Sequence, residues 1–174
     1  MKTLKQLKDH VGGLHWLAFL LTGRREIAFD VTAQAIDLTG DSNPFFSTWM
    51  ASWSRRLVMA RALAAVREDL HSSARRIALG FPEHSALPPL SWVMDEGTTK
   101  SDLERALLPI DLFPRAAVLL LVFECVPLKD AAILLDSEAD LVKQAMAAGV
   151  RDLTMNLART QVPWPHRRVP APHV

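Results

Sequence analysis

The chain has 174 residues, enough for one domain of ordinary size or two small ones with real apolar cores. Twenty basic residues stand against nineteen acidic ones, so no overall charge advertises nucleic acid or a membrane surface as partner. A single cysteine, Cys125, excludes an internal disulfide framework and fits a reducing compartment. It closes an apolar stretch, where a buried small hydrophobe is expected rather than a reactive thiol. The longest apolar run, residues 116–123, is far short of the about 20 residues a transmembrane helix needs. The lysine-bearing N-terminus lacks an apolar core and a small-residue cleavage site, so a cytoplasmic protein is expected. Tyrosine is absent, alternating strand patterns are nowhere sustained, and alanine and leucine abound. These features predict an all-α fold, built as two small helical domains joined by a linker.

In chain order, residues 11–21 form a strongly apolar helix that Thr22-Gly23 ends. The pair Gly12-Gly13 leaves its start unsettled, because glycine is costly inside a helix. A second helix is predicted over 24–38, with Ile27, Val31, Ala35 and Leu38 inward. Residues 39–44, TGDSNP, read as a loop. Ser47 or Thr48 can then cap a long helix running to about residue 78, in which Trp49, Trp53, Leu57, Ala60 and Ala64 share one side. Along it Arg55, Arg56, Arg61, Arg67, Arg75 and Arg76 face only Glu68 and Asp69. A basic helix that opens with two tryptophans could track a phosphate backbone while the indoles stack on exposed bases. Helical spacing equally suits Trp49 and Trp53 to the core, and arginine equally suits a protein partner.

Residues 80–108, with three prolines and the cluster DEGTT, read as a linker in which 101–108 can form a short helix. Pro114, near a first turn where its missing N–H costs nothing, opens an apolar helix to about Glu124. Pro127 introduces a short helix over 128–135. Ser137, with Asp140 three residues on, then predicts an N-cap and a third helix. Its stripe Val142, Met146, Val150, Leu153 and Leu157 faces the other two. A short helix, a tight turn and a longer amphipathic helix on a buried one describe a helix-turn-helix unit. The tail 159–174, rich in proline and arginine, is expected to be extended.

At these residues the C-terminal segment resembles the promoter-reading domain, region 4, of bacterial sigma factors of the extracytoplasmic-function type. Leu112, Pro114 and Arg115 fill the slots of that family's leucine-proline pair and its arginine. Glu124 ends the apolar helix, Asp130-Ala131-Ala132 to Leu135 matches the short "EIA..L" helix, and 140–146 matches "GTVKSRL" at the start of the recognition helix. The N-terminal half is similar to region 2 of the same family through Leu21-Thr22-Gly23, Ala28-Phe29-Asp30 and Trp49-Met50 with Trp53-Ser54. By this resemblance residues 1–79 would be a region 2-like domain, 80–108 a linker, 109–158 a region 4-like helix-turn-helix domain and 159–174 a tail.

The resemblance implies that the face around Asp30 and Gln34 docks on RNA polymerase core. It implies that Trp49, Trp53, Arg55, Arg56 and Arg61 contact melted promoter DNA, and that Lys143, Gln144, Ala147 and Arg151 read the upstream element. An anti-sigma protein would be a further partner. Several polar positions depart from the family pattern. Ala145, Ala148 and Val150 stand where basic residues are usual, Phe29 replaces an acidic one, and Asp136 replaces a glycine at the turn. Between Glu138 and Asp152 two basic residues meet three acidic ones, so the recognition helix carries no positive stripe.

No metal-ligand pair, nucleophile elbow, phosphate-binding loop or dinucleotide fingerprint occurs, and the six histidines are scattered. Glu26 and Asp30, a turn apart, more often form a solvated edge than an acid–base pair. No enzyme, metal or cofactor is expected. Two readings stand: a sigma-like initiation protein, or a divergent sigma-like regulator that binds a protein without reading DNA.

Overall fold

The computed structural model describes residues 4–37, 47–80 and 97–161, and in 4–7, 47–50 and 160–161 the backbone alone. Among these the chain is all helix, and no helix is long and apolar enough to cross a membrane. The order is α1 (Leu4–Thr22), α2 (Arg25–Asp37), α3 (Ser47–Ala65), α4 (Arg67–Gly80), α5 (Lys100–Leu107), α6 (Leu112–Val118), a π-helical segment (Leu119–Phe123), α7 (Leu128–Leu134) and α8 (Ala139–Gln161).

Helix α1 begins earlier than its glycines suggest and runs straight through Gly12 and Gly13, where an added Cβ would meet nothing within 4 Å. It ends at Gly23, whose φ of +69° lets its N–H bond the Phe19 carbonyl at 2.7 Å. Thr22 turns its hydroxyl back onto the Ala18 carbonyl at 2.8 Å. Helix α2 buries Ala28, Val31, Thr32 and Ala35 against α1 and α3. Leu38, the loop at 39–44 and the side chains of Ser47, Thr48 and Trp49 lie outside the described residues.

The single long helix predicted to about residue 78 is two helices. The chain turns at Val66, which is buried and whose N–H reaches Leu63 O at 3.3 Å. The break lets α3 pack on α1 and α2 while α4 packs on α6 and α8. Neither proline nor glycine marks it, so tertiary packing sets it. The inner face of α3 is also rotated from the predicted stripe: Ser54, Val58, Met59, Ala62 and Leu63 are buried, whereas Ala60 and Ala64 are exposed. Alanine is compatible with either side and misplaced the face.

Residues 100–107, inside the predicted linker, form a helix with a complete cap. The Asp102 N–H donates to Thr99 Oγ1 at 3.2 Å and the Thr99 N–H donates to Asp102 Oδ2 at 3.0 Å. Its Ala106 and Leu107 are buried against α8. Asn156 on α8 donates to the Ala106 carbonyl at 2.8 Å, satisfying a C-terminal orphan. Trp16 on α1 donates its indole N–H to Glu104 at 2.8 Å, and Lys100 lies 5.3 Å from the same ring. One stretch of α5 is thereby fastened to both halves of the chain.

Helix α6 is the innermost element: Phe113 through Val118 are all buried. Its N-terminus is served from two sides, by Asp111, which accepts from Leu112 N at 2.9 Å, and by Ser73 on α4, which accepts from Phe113 N at 2.8 Å. Pro114 sits in the first turn, as predicted. The helix then loosens into the π-helical segment, closed by Glu124 N to Leu119 O at 2.9 Å and Val126 N to Leu120 O at 2.8 Å. That wider turn carries Cys125 outward at φ +51°. The cysteine is therefore exposed, and the expectation of a buried thiol is corrected.

Buried residues of α1–α4 and of α5–α8 form one continuous hydrophobic cluster, from Leu14 through Leu70 to Leu157. Helix α8 crosses α6 at Gly149, where an added Cβ would lie 2.5 Å from Val118 Cγ2 and 2.6 Å from the Pro114 carbonyl oxygen. Gly149→Ala gains helix propensity of about 1 kcal/mol, yet it must push two backbones apart. We expect a net loss of about 1–3 kcal/mol, the usual cost of overpacking. Gly12→Ala, in open space on α1, should instead stabilise by about 0.5–1 kcal/mol. Urea unfolding of both variants against wild type reads the signs directly.

Candidate nucleic-acid and partner surfaces

The turn between α7 and α8 is tight because Asp136 adopts φ +49° and Ser137 N reaches back to Ala132 O at 3.0 Å. Aspartate tolerates this left-handed geometry better than most residues. The predicted cap moves by one position: the first bond of α8 runs from Val142 N to Glu138 O at 3.0 Å, so Glu138 precedes the helix in place of Ser137. Among the described residues the Ser137 hydroxyl makes no hydrogen bond.

On α8, Lys143, Gln144 and Ala147 are exposed and project on one outward side, with Arg151 half-buried a turn further on. Lys143 pairs with Asp140 at 3.1 Å and Arg151 with Asp152 at 3.1 Å, so both cations of this helix face are already engaged. Met155, 48% exposed, continues the same side in apolar character. Ala145 and Ala148 are buried and Val150 is half-buried against the core. Of the neighbouring pair Ala147-Ala148, only Ala147 is exposed.

The basic helix predicted after Trp49 is divided among several contacts. Arg55 on α3 forms a side-on pair with Glu124 at the end of the π-helical segment, and that carboxylate is only 7% exposed. The hydrogen bond to Glu124 holds the Arg55 guanidinium above its usual pKa, against the opposing effect of burial. Arg61 donates to Gln34 on α2 at 2.7 Å, joining a predicted DNA contact to a predicted polymerase contact. Arg56 is exposed and Trp53 half-buried, while the Trp49 side chain lies outside the described residues. Between α3 and residues 124–134 runs a groove of about 570 Å³ lined by Arg55, Arg56, Met59, Val126, Asp130 and Ile133. Ile133 is 77% exposed there.

On α2, Asp30 and Gln34 are exposed beside Phe29, itself 66% exposed. Glu26 is exposed on the same helix, in keeping with a solvated edge. The one aromatic that interrupts the predicted acidic pattern is therefore a surface group.

Sequence reasoning missed the carboxylates that meet the arginines, because their partners are distant in the chain. Arg76 engages Asp111 side-on at 2.7 and 2.9 Å, Arg24 meets Asp69 at 2.8 Å, and His71 lies 3.4 Å from Asp136. The Thr99-x-x-Asp102 spacing is a capping-box pattern, and in the structure it opens α5. Comparison with known proteins finds no match among family models, curated proteins or solved structures.

Hydrogen bonds from Arg76, aided by the Leu112 N–H, hold the Asp111 carboxyl below its ordinary pKa against partial burial. Asp102 is likewise lowered, chiefly by the Thr99 hydroxyl. A carboxylate depressed by folding contributes stability above its unfolded pKa, and that contribution fades as pH falls through the folded value. Stability should therefore drop on acidification below about pH 4. Asp111→Asn should be less stable at neutral pH and show a shallower fall in acid, which unfolding free energies across pH 2–7 measure.

Proposed function

We propose that this chain is a sigma-factor-like transcription initiation protein of the cytoplasm, one that binds RNA polymerase and directs it to promoter DNA without chemistry of its own. The observation that carries the reading is the α7–turn–α8 unit on its buried α6 bed. It leaves Lys143, Gln144 and Ala147 outward together at the start of the second helix, the place from which such units reach base edges in the major groove. The α2 face with Phe29, Asp30 and Gln34 is the docking surface for polymerase in this proposal, an acidic and aromatic patch on a rigid helix. Arg56 and the groove beside it are the place for promoter single strand.

A second reading is favoured by one specific observation: the cations that should meet phosphate are compensated within the protein. Lys143, Arg151, Arg55 and Arg76 each pair with a carboxylate. A divergent sigma-like regulator that binds a protein partner, such as an anti-sigma protein or the polymerase itself, needs no phosphate neutralisation. Exposed Phe29, Ile133 and Met155 suit that use.

Affinity of the polymerase complex for promoter fragments, measured as a function of salt, separates the two. Under the leading reading log K falls linearly with log salt, and Lys143→Ala makes the slope shallower by about one. Polymerase binding that is lost on Phe29→Asp, with no salt-dependent contribution to DNA binding, would establish the second reading instead.

A further inference from the structure

Where the end of α1, helix α4 and the start of α6 converge, a polar pocket of about 330 Å³ is lined by Arg24, Asp69, Ser72, Arg76, Asp111 and Arg115. Two of its three guanidiniums are matched, Arg24 by Asp69 and Arg76 by Asp111. Arg115 is not matched. It is 94% buried by its 6% exposure, and only its Nη1 is used, donating to the carbonyls of Leu108 at 2.8 Å and Ile110 at 3.2 Å. Its Nε is buried and makes no hydrogen bond. Nη2 lies 3.2 Å from where a Cβ on Gly23 would stand, so glycine at that turn leaves open the space beside it.

The unused edge, Nε with Nη2, is the one that Arg55 and Arg76 present side-on to carboxylates elsewhere in this protein. A fork of that kind takes a carboxylate or phosphate group bidentately. Here it belongs to a cation removed from water without an ion-paired carboxylate of its own, an arrangement that an arriving anion relieves. Burial lowers the Arg115 pKa, with Asp111 opposing, as expected of a cation short of negative partners.

We propose that this pocket binds a phosphate group, with Nη2 of Arg115 as its floor and Arg24 and Arg76 as its walls. The residues come from α1–α2, α4 and α6, so the anion would bridge the two halves of the chain and add to their joint core. Both free phosphate and the phosphate of a nucleotide satisfy this chemistry.

The buried Nε–H of Arg115 gives a direct probe, as an arginine side-chain resonance in ¹⁵N spectra of the full chain. Titration with inorganic phosphate, and separately with adenosine monophosphate, should shift that resonance saturably, whereas sodium chloride at equal ionic strength should not. Arg24→Gln and Arg76→Gln should each raise the dissociation constant about tenfold. Asp69→Asn, which removes a competing carboxylate, should lower it. Arg75→Gln, exposed on the same helix and outside the pocket lining, should leave it unchanged. Equal affinity for the two ligands assigns recognition to the phosphate alone, and tighter adenosine monophosphate assigns a nucleotide. A shift that follows chloride equally, or an equal loss with Arg75→Gln, would overturn the proposal.

Discussion

At Gly149 the backbone of α8 comes so near α6 that a single methyl group would overlap Val118 and the Pro114 carbonyl, and much of the fold is arranged around that contact. Gly149 meets Pro114 and Val118 there, and Ala116, Ala117, Ala145 and Ala148 on the same two helices are buried. Other elements hold α6 as well. Helix α4 does so through Ser73 and through Arg76 on Asp111, and α1 through the Gly23 turn that lies against Arg115. Phe113 to Val118 are consequently buried on all sides, an unusual condition for a seven-residue helix and one it could not sustain alone.

The same geometry bears on function. At positions 145, 148 and 150, where the resemblance would place basic residues, Ala145 and Ala148 are buried and Val150 is half-buried, so little of that surface is open to DNA. Lys143 and Arg151 of α8 are tied to neighbouring carboxylates, Arg55 of α3 to Glu124 and Arg76 of α4 to Asp111. Exposed pairs of this kind contribute little stability, typically well under 1 kcal/mol. Their effect is rather on the surface field, which each pair weakens locally. Glu124 differs, since its carboxylate is largely removed from water and Arg55 is its counter-charge.

The helical class, the boundaries of α7 within one residue, the first-turn place of Pro114 and the left-handed turn at Asp136 were legible in the sequence, because local chemistry decides each of them. The break at Val66 was not, because no local breaker causes it and packing on α6 does. The π-helical segment was hidden for the same reason: eight apolar residues in a row carry no period to reveal a widened turn. It displaced Cys125 from core to surface. Of the site residues, exposure of Asp30, Gln34, Lys143, Gln144 and Ala147 follows from helical phase, whereas the pairing of Arg55 with Glu124 joins residues 69 apart in the chain and no motif announces it. The alanine-rich face of α3 left its inner stripe ambiguous, and the structure rotates it, whereas the predicted stripe of α8 from Val142 to Leu157 lies in or against the core.

One core shared by both halves is the claim on which the rest turns, and native-state hydrogen exchange tests it most directly. If the account holds, the slowest amides of α1, α6 and α8 open with one common free energy, and Gly149→Ala lowers that value in all three together. Protection that falls in α6 and α8 while α1 keeps its own, unchanged opening energy would contradict it.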